Sequence, residues 1–372
     1  MIEHKKFLKK CLKLAEKGKG LVSPNPMVGA IIAKGERIIA EGYHKAFGLP
    51  HAEIEALNKA KDKSKGATLY VNLEPCCHWG KTPPCTEAII KSGIKEVIAC
   101  IMDPNPLVSG NGFKILEENG IKVRYGFLED EAEEFNRFYI TNITKKRPYI
   151  ILKWAQTIDG KIATYSGSSK WITGEKTRQY LKKKRFEVDG ILVGVNTILK
   201  DNPTLDYIPD EFQTKKDILE RKRYYKIILD AKGQTPTEGK LWENEKAKVL
   251  IVFDEKIEEE KIGKYTVKPN FEYIKIPYEN GRFELEKLLE KLLEKNIGII
   301  MVEGGKYTLT EFFENELFDE IWVFIGSKIL GGENSISVFG GKDKRNIEES
   351  LQIEKIEVER IDNDILIKGR IS

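Results

Sequence analysis

The stretch from residue 74 to residue 85 reads EPCCHWGKTPPC and places three cysteines and a histidine close together. The whole chain of 372 residues has five cysteines and four histidines, and all of them lie within the first hundred residues. Thiolates and imidazoles are the side chains that bind zinc or act as nucleophiles and bases. The sequence therefore predicts that chemistry of this kind is confined to the N-terminal part. The rest of the chain must do something else.

Three other kinds of site share some of these residues. A phosphate-binding P-loop needs a glycine five positions before Gly80, where this chain has Pro75. A structural zinc finger needs two cysteine or histidine pairs with two to four residues inside each pair, whereas eight residues separate Cys76 from Cys85. A disulfide is disfavoured, because the lysine-rich N-terminus lacks the apolar region of a signal peptide and so predicts a reducing, cytoplasmic environment.

A catalytic zinc site accounts for the stretch once the upstream letters HAE, which contain His51 and Glu53, are added. His-x-Glu followed by Pro-Cys and a later cysteine is the signature of zinc deaminases of the cytidine type. Zinc with three protein ligands leaves its fourth position to a water, whose pKa falls towards about 7. We predict His51, Cys76 and Cys85 as ligands of one zinc ion, and prefer Cys76 to Cys77 because it directly follows proline. Glu53 is predicted to take the water's proton and to give one to the departing amine.

Composition narrows the class of protein. The chain has 62 Lys and Arg against 58 Asp and Glu, and its formal net charge of +4 is too balanced to indicate a nucleic-acid binder. No apolar run approaches the roughly eighteen residues that a membrane span needs. The expected partner is a small-molecule substrate, with no nucleic acid and no membrane.

The order of strand-like and helix-like segments predicts two α/β domains. Up to residue 146, apolar segments such as ATLYVNL and EVIACI alternate with amphipathic segments closed by glycine. A charged helix from Glu129 to Phe138 and a loop from Thr144 to Pro148 follow, and the pattern then begins again with the strand YIILKWAQT. We therefore predict domains at residues 1–146 and 147–372.

One C-terminal segment suits a nucleotide. GIIMVEGGKYTLTEFF predicts a buried strand, the turn Gly304-Gly305 and then a helix. Backbone N–H groups at such a helix start bind phosphate well, although a plain tight turn has the same pattern. No G-x-G-x-x-G motif supports a Rossmann site in this half.

Taken together, these motifs resemble the bifunctional riboflavin biosynthesis proteins. HAE, PCCHWGKTPPC, SPNPMVGAII and DPNPLVSGNG are similar to the deaminase half of that family. KWAQTIDGKIA, SSKWITG, GVNTILKDNPTL, VEGG and KILGG stand in order as they do in its reductase half. The resemblance covers essentially the whole chain. It implies an N-terminal three-layer cytidine-deaminase-like domain and a C-terminal dihydrofolate-reductase-like α/β domain.

The activity that the resemblance implies has two steps. The first is hydrolytic, zinc-dependent deamination of 2,5-diamino-6-(5-phosphoribosylamino)pyrimidin-4-one. The second is NADPH-dependent reduction of the ribosyl group to a ribityl chain, with hydride added to the ribose C1 carbon. A homo-oligomer, either a dimer or a tetramer, is also implied.

The resemblance further implies roles for residues in both halves. It implies His51, Cys76 and Cys85 as zinc ligands and Glu53 as the proton shuttle. It also implies that these residues line the pocket for the pyrimidine and its phosphate: Asn25, His44, His78, Lys81, Thr82 and Asn105. The implied NADPH contacts are Ala155, Trp171, Thr197, Asp201, Gly304 and Gly305. The implied substrate contacts of the reductase are Lys153, Ser169, Arg185, Leu205 and Glu303. Candidates for the reductase proton donor are Lys153, Asp201 and Glu303.

Two positions depart from the family pattern. Lys81 stands where arginine is more usual, which keeps the charge but gives up a two-pronged phosphate contact. Ile208 stands where the family usually has a phosphate-binding arginine. Lys170 or Arg185 would then provide that contact.

Two other classes of function stay open at this point. One is a nucleic-acid deaminase with a binding appendage, in which the basic letters KKKR at 182–185 contact phosphates. That tetrad also fits the solvated face of a helix from Glu175 to Phe186. The other is a non-enzymatic binding module stabilised by zinc, which Glu53 beside the metal argues against.

Overall fold

The computed structural model describes residues 2–80, 83–206 and 220–371. These residues form two compact units, each with its own main sheet. The first unit contains the chain up to Lys146 and residues 220–222, and the second begins at Arg147 and resumes at Arg223. None of the helices described is both long and apolar enough to cross a membrane.

The first unit is built on a five-stranded sheet in the order β2-β1-β3-β4-β5. Strands β3, β4 and β5 are parallel, and β1 is antiparallel to both of its neighbours. Its elements, in chain order, are α1 Ile2–Ala15, β1 Gly29–Lys34, β2 Arg37–Tyr43, α2 Ala52–Ala60, β3 Thr68–Leu73, α3 Cys85–Lys91, β4 Glu96–Ile101, α4 Asn111–Glu118, β5 Lys122–Arg124, α5 Glu129–Phe135 and α6 Arg137–Thr144.

Successive residues of β3 face two different helical layers, as the alternation of a strand requires. Leu69 and Val71 belong to a buried cluster that also contains side chains of α2, α3 and α4. Tyr70, between them, meets Phe7 of α1, with 4.7 Å between the ring centroids. The first unit therefore has three layers, helix, sheet and helix, and this confirms the layered α/β prediction.

The predicted helix from Glu129 to Phe138 is wrong in its extent, because it is two helices that meet at Asn136. The backbone of Asn136 has φ −106° and ψ 21°, outside the helical range. The bend lets its buried side chain bind Met27: Oδ1 accepts the Met27 N–H at 2.8 Å, and Nδ2 donates to the Met27 carbonyl at 3.0 Å. The second helix, α6, then runs on to Thr144.

The second unit is built on a nine-stranded sheet in the order β11-β10-β9-β8-β14-β6-β15-β18-β17. It is parallel from β11 to β15, and β18 and β17 add an antiparallel edge. Its elements are β6 Tyr149–Thr157, β7 Lys161–Ala163, α7 Glu175–Arg185, β8 Gly190–Gly194, α8 Val195–Asp201, β9 Tyr225–Leu229, β10 Lys248–Asp254, α9 Glu259–Gly263, β11 Phe271–Ile276, β12 Tyr278–Glu279, β13 Arg282–Phe283, α10 Leu285–Glu294, β14 Ile299–Glu303, α11 Lys306–Glu314, β15 Glu320–Gly326, β16 Ile336–Ser337, β17 Glu354–Ile361 and β18 Asp364–Arg370.

The apolar pattern of the second unit explains its packing. In α10, the leucines at 285, 288, 289 and 292 follow helical spacing, and all are buried in the core against the sheet. The parallel strands β8, β10 and β14 are apolar on both faces, as strands covered on both sides are. Parallel strands also end at one edge of the sheet, and Glu303 at the end of β14 lies opposite Lys153 of β6 in the register.

Candidate active sites

The three predicted zinc ligands converge in the first unit. Nδ1 of His51 lies 3.5 Å from Sγ of Cys76 and 3.3 Å from Sγ of Cys85. The three ligand atoms all lie within 4.8 Å of one another. In a tetrahedral zinc site, bonds of about 2.3 Å to sulfur and about 2.05 Å to nitrogen hold those two atoms about 3.5 Å apart. The side chains are therefore spaced as a single zinc ion requires.

Local structure brings these residues together. His51 is the residue before α2, and Cys85 is the first residue of α3. Cys76 lies in the loop after β3, where its carbonyl accepts the N–H of Thr86 at 3.2 Å and its Sγ accepts the N–H of Cys85 at 3.4 Å. The loop thus folds back on the start of α3. Cys76 and Cys85, which are separated by more residues than the cysteine pair of a zinc finger, therefore become neighbours. The Cys85 thiol also donates towards Cys76, which lowers the pKa of Cys76 and raises the pKa of Cys85.

Cys77 lies outside this cluster. Its Sγ is 3.5 Å from the carbonyl oxygen of Leu107, which accepts a hydrogen bond from the thiol. Burial raises the pKa of the Cys77 thiol, so the group stays protonated at neutral pH. Of the two adjacent cysteines, the structure therefore brings Cys76 to His51 and leaves Cys77 to contact the loop after β4.

Glu53 lies in the first turn of α2 and is 3% exposed. Burial raises the pKa of its carboxyl to about 7, against the opposing effect of His51. Among the described residues, no hydrogen-bond partner reaches its buried Oε2. A buried acceptor without a partner is costly, so this oxygen is placed to meet a group bound at the cluster.

His44 and Asn25 lie next to the cluster. Burial lowers the pKa of His44 to about 4, so the ring is neutral at pH 7. Nδ1 lies 3.1 Å from the carbonyl of Pro50, which can only accept, and therefore carries the proton. Nε2 then accepts a hydrogen bond from Nδ2 of Asn25 at 3.2 Å. The His44 ring stands edge-on to His51, with 5.4 Å between the centroids.

Of the other pocket residues predicted for the first unit, the structure describes His78 and Asn105. His78 is half-buried, and its buried Nδ1 has no hydrogen-bond partner within the described part of the chain. Asn105 is also half-buried, and its Oδ1 accepts the N–H of Leu107 at 3.1 Å. Lys81 and Thr82 lie outside the described residues.

Every residue predicted for the reductase site lines one cavity of the second unit. Its volume is about 2140 Å³, roughly twice the upper end of about 300–1,000 Å³ for ordinary ligand pockets. A dinucleotide and a second ligand therefore fit together. The predicted residues in its lining are Lys153, Ala155, Ser169, Trp171, Arg185, Thr197, Asp201, Leu205, Glu303, Gly304 and Gly305.

Three of these residues form a buried ionic cluster. Lys153 Nζ lies 3.5 Å from Oε2 of Glu303, and Arg185 binds the same carboxylate through two of its nitrogens. Burial alone would raise the pKa of Glu303, but the charges of Arg185 and Lys153 lower it to about 2. Burial lowers the pKa of Lys153, although Glu303 opposes this. Two cations face one carboxylate, so the cluster suits an anionic ligand.

The segment before α7 adds contacts that the sequence did not reveal. Trp171 is 58% exposed, and the guanidinium carbon of Arg178 lies 4.4 Å from the centre of its ring. Lys170 pairs with Asp201 at 2.8 Å across the cavity lining. Arg178 also lines the cavity. Its sequence position, one of several basic residues along a helix, gave no signal of this stacking.

The expectation that the basic tetrad at 182–185 forms one solvated face is wrong. Lys182 and Lys183 are exposed, but Lys184 is half-buried and pairs with Glu187 at 2.6 Å. Arg185 turns inward to the ionic cluster. An α-helix has 3.6 residues per turn, so four consecutive side chains point all round it.

The folds and the two sites define a class of two-part enzyme, in which a zinc-type deaminase domain is joined to a reductase domain with a dinucleotide-sized cavity. Residues 1–101 match the family model for the cytidine and deoxycytidylate deaminase zinc-binding region. Residues 148–367 match the model for the RibD C-terminal domain. The chain belongs to the RibD family of riboflavin biosynthesis proteins, which are bifunctional deaminases and reductases. Zinc, in the deaminase domain, and NADPH, in the reductase domain, are its cofactors.

Similar proteins extend over almost the whole chain. Riboflavin biosynthesis protein RibD of Aquifex aeolicus (strain VF5) is 46% identical over 98% of this chain and 97% of its own length. RibD of Escherichia coli (strain K12) is 35% identical over 88% of each. Among solved structures, the diaminohydroxyphosphoribosylaminopyrimidine deaminase/5-amino-6-(5-phosphoribosylamino)uracil reductase of Thermotoga maritima is 38% identical, with a TM-score of 0.84 over 100% of this chain and 99% of its own. The family resemblance and the bifunctional activity predicted from the sequence are confirmed.

Proposed function

We propose that residues 1–146 form the deaminase domain and residues 147–372 the reductase domain, and that they act in this order on one pyrimidine. The first substrate is 2,5-diamino-6-(5-phosphoribosylamino)pyrimidin-4-one, and the final product is 5-amino-6-(5-phosphoribitylamino)uracil. The observation that carries the proposal is the cluster of one imidazole and two sulfurs, with Glu53 buried beside it and its Oε2 without a hydrogen-bond partner among the described residues.

In the deaminase domain, His51, Cys76 and Cys85 hold the zinc ion. When bound with three protein ligands, zinc makes a water reactive near neutral pH. Glu53 accepts a proton from the attacking water and passes one to the amino group that leaves. The ring carbon thereby gains an oxygen and loses ammonia. The position of Glu53 in the first turn of α2, two residues after His51, keeps its carboxylate beside the ligands without making it one of them.

The pocket for the pyrimidine and its phosphate is lined by Asn25, His44, His78, Lys81, Thr82 and Asn105. The neutral ring of His44 supports this arrangement, because it is held by Pro50 and in turn holds the amide of Asn25. A fixed amide next to the zinc ligands is suited to the polar edge of a pyrimidine.

In the reductase domain, NADPH lies along Ala155, Trp171, Thr197, Asp201 and the turn Gly304-Gly305. The turn supports this placement, because it precedes α11 and its residues line the cavity. Lys153, Ser169, Arg185, Leu205 and Glu303 contact the sugar phosphate. Support for that comes from the ionic cluster, whose two cations exceed its single carboxylate.

Lys153 is the proton donor of the reduction. Hydride adds to C1 of the ribose, the bond from C1 to the ring oxygen breaks, and that oxygen needs a proton. The low pKa of Glu303 keeps it ionised, so it holds no proton to give, and Asp201 is engaged in an ion pair with Lys170 at 2.8 Å. Lys153→Met is expected to lower kcat with little change in NADPH affinity, measured by fluorescence titration. Normal kcat in this variant would exclude Lys153.

The protein acts as a homo-oligomer, a dimer or a tetramer, in the cytoplasm. Edge strand β17 supports oligomerisation, because Ile356 and Val358 are 61% and 66% exposed on a strand that has one edge unpaired within the described part of the chain. Five free cysteines, each within the described residues, are typical of a reducing compartment. Analytical ultracentrifugation of the protein and of Val358→Lys tests the proposed oligomer. A monomeric unmodified protein contradicts it.

One preparation of the full chain tests the main proposal. Metal analysis, ammonia release from the pyrimidine substrate and oxidation of NADPH are measured together. One zinc per chain and both activities are expected. Ammonia release that continues at the normal rate after the zinc has been removed with a chelator contradicts the deaminase assignment.

A further inference from the structure

The tripeptide Pro-Asn-Pro occurs twice in the first unit, at residues 24–26 and 104–106. The first copy precedes β1 and the second follows β4, and these two strands flank β3 in the sheet. Because β1 is antiparallel and β4 parallel to β3, the start of β1 and the end of β4 lie at the same edge as the end of β3. Both tripeptides therefore lie at the edge of the sheet where Cys76 follows β3.

A buried carboxamide at the end of β3 holds the first loop. Oδ1 of Asn72 accepts the N–H of Gly29 at 2.8 Å, and Nδ2 donates to the carbonyl of Met27 at 2.9 Å. Asn136, the residue before α6, binds the N–H and carbonyl of the same Met27. Both asparagines are 0% exposed. The backbone that joins the first Pro-Asn-Pro to β1 is therefore fixed by two side chains.

A buried carboxylate holds the second loop. Oε2 of Glu74 accepts the N–H groups of Asp103 at 3.1 Å and Gly110 at 2.9 Å, and Oε1 accepts that of Phe113 at 3.2 Å. Glu74 is 3% exposed. The loop that contains the second Pro-Asn-Pro is therefore closed around a single carboxylate.

A second contact stiffens that loop from α6. Oδ1 of Asp103 accepts the O–H of Tyr139 at 2.9 Å and the N–H of Asn105 at 2.8 Å. Proline on each side of an asparagine also restricts the backbone at that residue. The buried side chains that fix the backbone of each loop therefore also fix the position of Asn25 in the first loop and of Asn105 in the second.

We propose that Asn72 and Glu74 are positioning residues for recognition of the pyrimidine. They hold the two Pro-Asn-Pro loops at a fixed distance from the zinc cluster, so that Asn25 and Asn105 meet the ring from two sides. The inference rests on the proposed function of the first domain. The hydrogen bonds of both residues end on the backbone of these loops and of β1 and α4, which adjoin them, so their loss moves the substrate contacts and leaves Glu53 in place.

Glu74→Gln tests the second loop. A carboxamide turns an N–H towards donors that need an acceptor, so at least one of the three backbone hydrogen bonds is lost. We expect KM for deamination to rise about tenfold or more, while kcat stays within about threefold. Zinc content and NADPH oxidation in the same chain stay unchanged. Asn72→Asp, which removes the donor to Met27, is expected to change KM in the same direction through the first loop.

Glu96→Gln is the matched control. Glu96 is a largely buried carboxylate of the same sheet and pairs with Arg124 at 2.9 Å, but it is the first residue of β4, at the edge away from the cluster. The KM of the Glu96→Gln variant for deamination is expected to equal that of the unmodified chain. Tyr139→Phe is a milder second variant, because it removes only the O–H that binds Asp103, and a KM increase of about threefold is expected.

Unchanged deamination kinetics in Glu74→Gln overturn the proposal, as does loss of zinc from a folded Glu74→Gln chain, because the residue would then act on the metal. If Glu74→Gln does not fold, Tyr139→Phe decides alone: a raised KM supports the proposal and an unchanged KM overturns it. Failure of the deaminase assignment gives a different result, since the unmodified chain would then release no ammonia.

Discussion

Arg185 and Glu303 form a two-pronged ion pair inside the reductase cavity, with Nε 2.8 Å from Oε1 and Nη2 2.9 Å from Oε2. Both side chains are largely buried, at 14% and 11% exposed. The carboxylate also lies within reach of Lys153. A buried charge depends on its partner, because removing one member leaves the other without compensation. The pair therefore links the stability of the second unit to the cavity that we propose holds its substrate.

Glu303→Gln is expected to destabilise the second unit by about 3–5 kcal/mol, since it leaves two buried cations facing a neutral amide. Reduction is expected to fall with it. Denaturant unfolding followed by tryptophan fluorescence measures the first effect and NADPH oxidation the second. Asp362→Asn is the control, because it breaks the exposed pair with Lys176 and should change the free energy of unfolding by about 1 kcal/mol or less. Equal stabilities of the two variants would contradict the prediction.

The same pair makes the second unit sensitive to acid. Burial acts to raise the pKa of Glu303, but Arg185 and Lys153 lower it from 4.5 to about 2. A carboxyl whose pKa is lowered by folding stabilises the protein above its ordinary pKa, and that contribution is lost as the pH falls from about 4.5 through about 2. The free energy of unfolding of the second unit should therefore drop over this range. The free energy of unfolding of Glu303→Gln should drop less steeply over the same range. It is measured by denaturant titrations at successive pH values, and parallel curves for the variant and the unmodified protein would show that the carboxyl is not responsible.

Glu53→Gln is expected to lower the rate of ammonia release by about 10²–10⁴-fold, because the amide cannot carry a proton between water and amine. Zinc content, measured by metal analysis, and NADPH oxidation should not change. Glu55→Gln, two residues further along α2, is the matched control: Glu55 pairs with Lys45 at 2.8 Å and should be dispensable for deamination. A Glu53→Gln protein that keeps its zinc and deaminates normally would rule out the proposed proton transfer.

The adjacent cysteines give a sharp test of the metal site. Cys76→Ser is expected to lose most of its zinc, since Cys76 lies 3.5 Å from the His51 ring nitrogen. Cys77→Ser should keep one zinc per chain, because its thiol is bound to the Leu107 carbonyl instead. Metal content after dialysis against a weak chelator separates the two. The reverse pattern, with zinc lost only from Cys77→Ser, would show that Cys77 is the ligand and that the assignment of Cys76 is wrong.

Where the signal is local, the sequence predicted which side chains come together. His51, Cys76 and Cys85 could be chosen from residue type, spacing and the flanking prolines, and the structure brings the three together. Asn72 and Glu74 were missed, although two polar residues at the end of an apolar strand are unusual. Their partners lie far along the chain, for example 45 residues from Asn72 and 29 from Glu74, and no local pattern reveals them.

Strand β17 shows a different limit. Its residues from Glu354 to Arg360 are all exposed, so no buried face imposes an alternation of apolar and polar residues. It is a strand because β18 offers it a free edge, which is a property of the sheet. The break at Asn136 is similar, because it depends on Met27 more than a hundred positions away. Both features are set by tertiary contacts that a window of neighbouring residues does not contain.

The zinc cluster joins the beginnings of α2 and α3 to the loop that leaves β3, so its assembly needs most of the first sheet to be in place. Binding energy of this kind is also folding energy, and it depends on the supply of metal. The ionic cluster of the second unit has no such dependence, being made only of side chains. A cell grown on little zinc would therefore lose deamination before reduction. The reductase domain would stay folded but would receive less of the deaminated pyrimidine on which it acts.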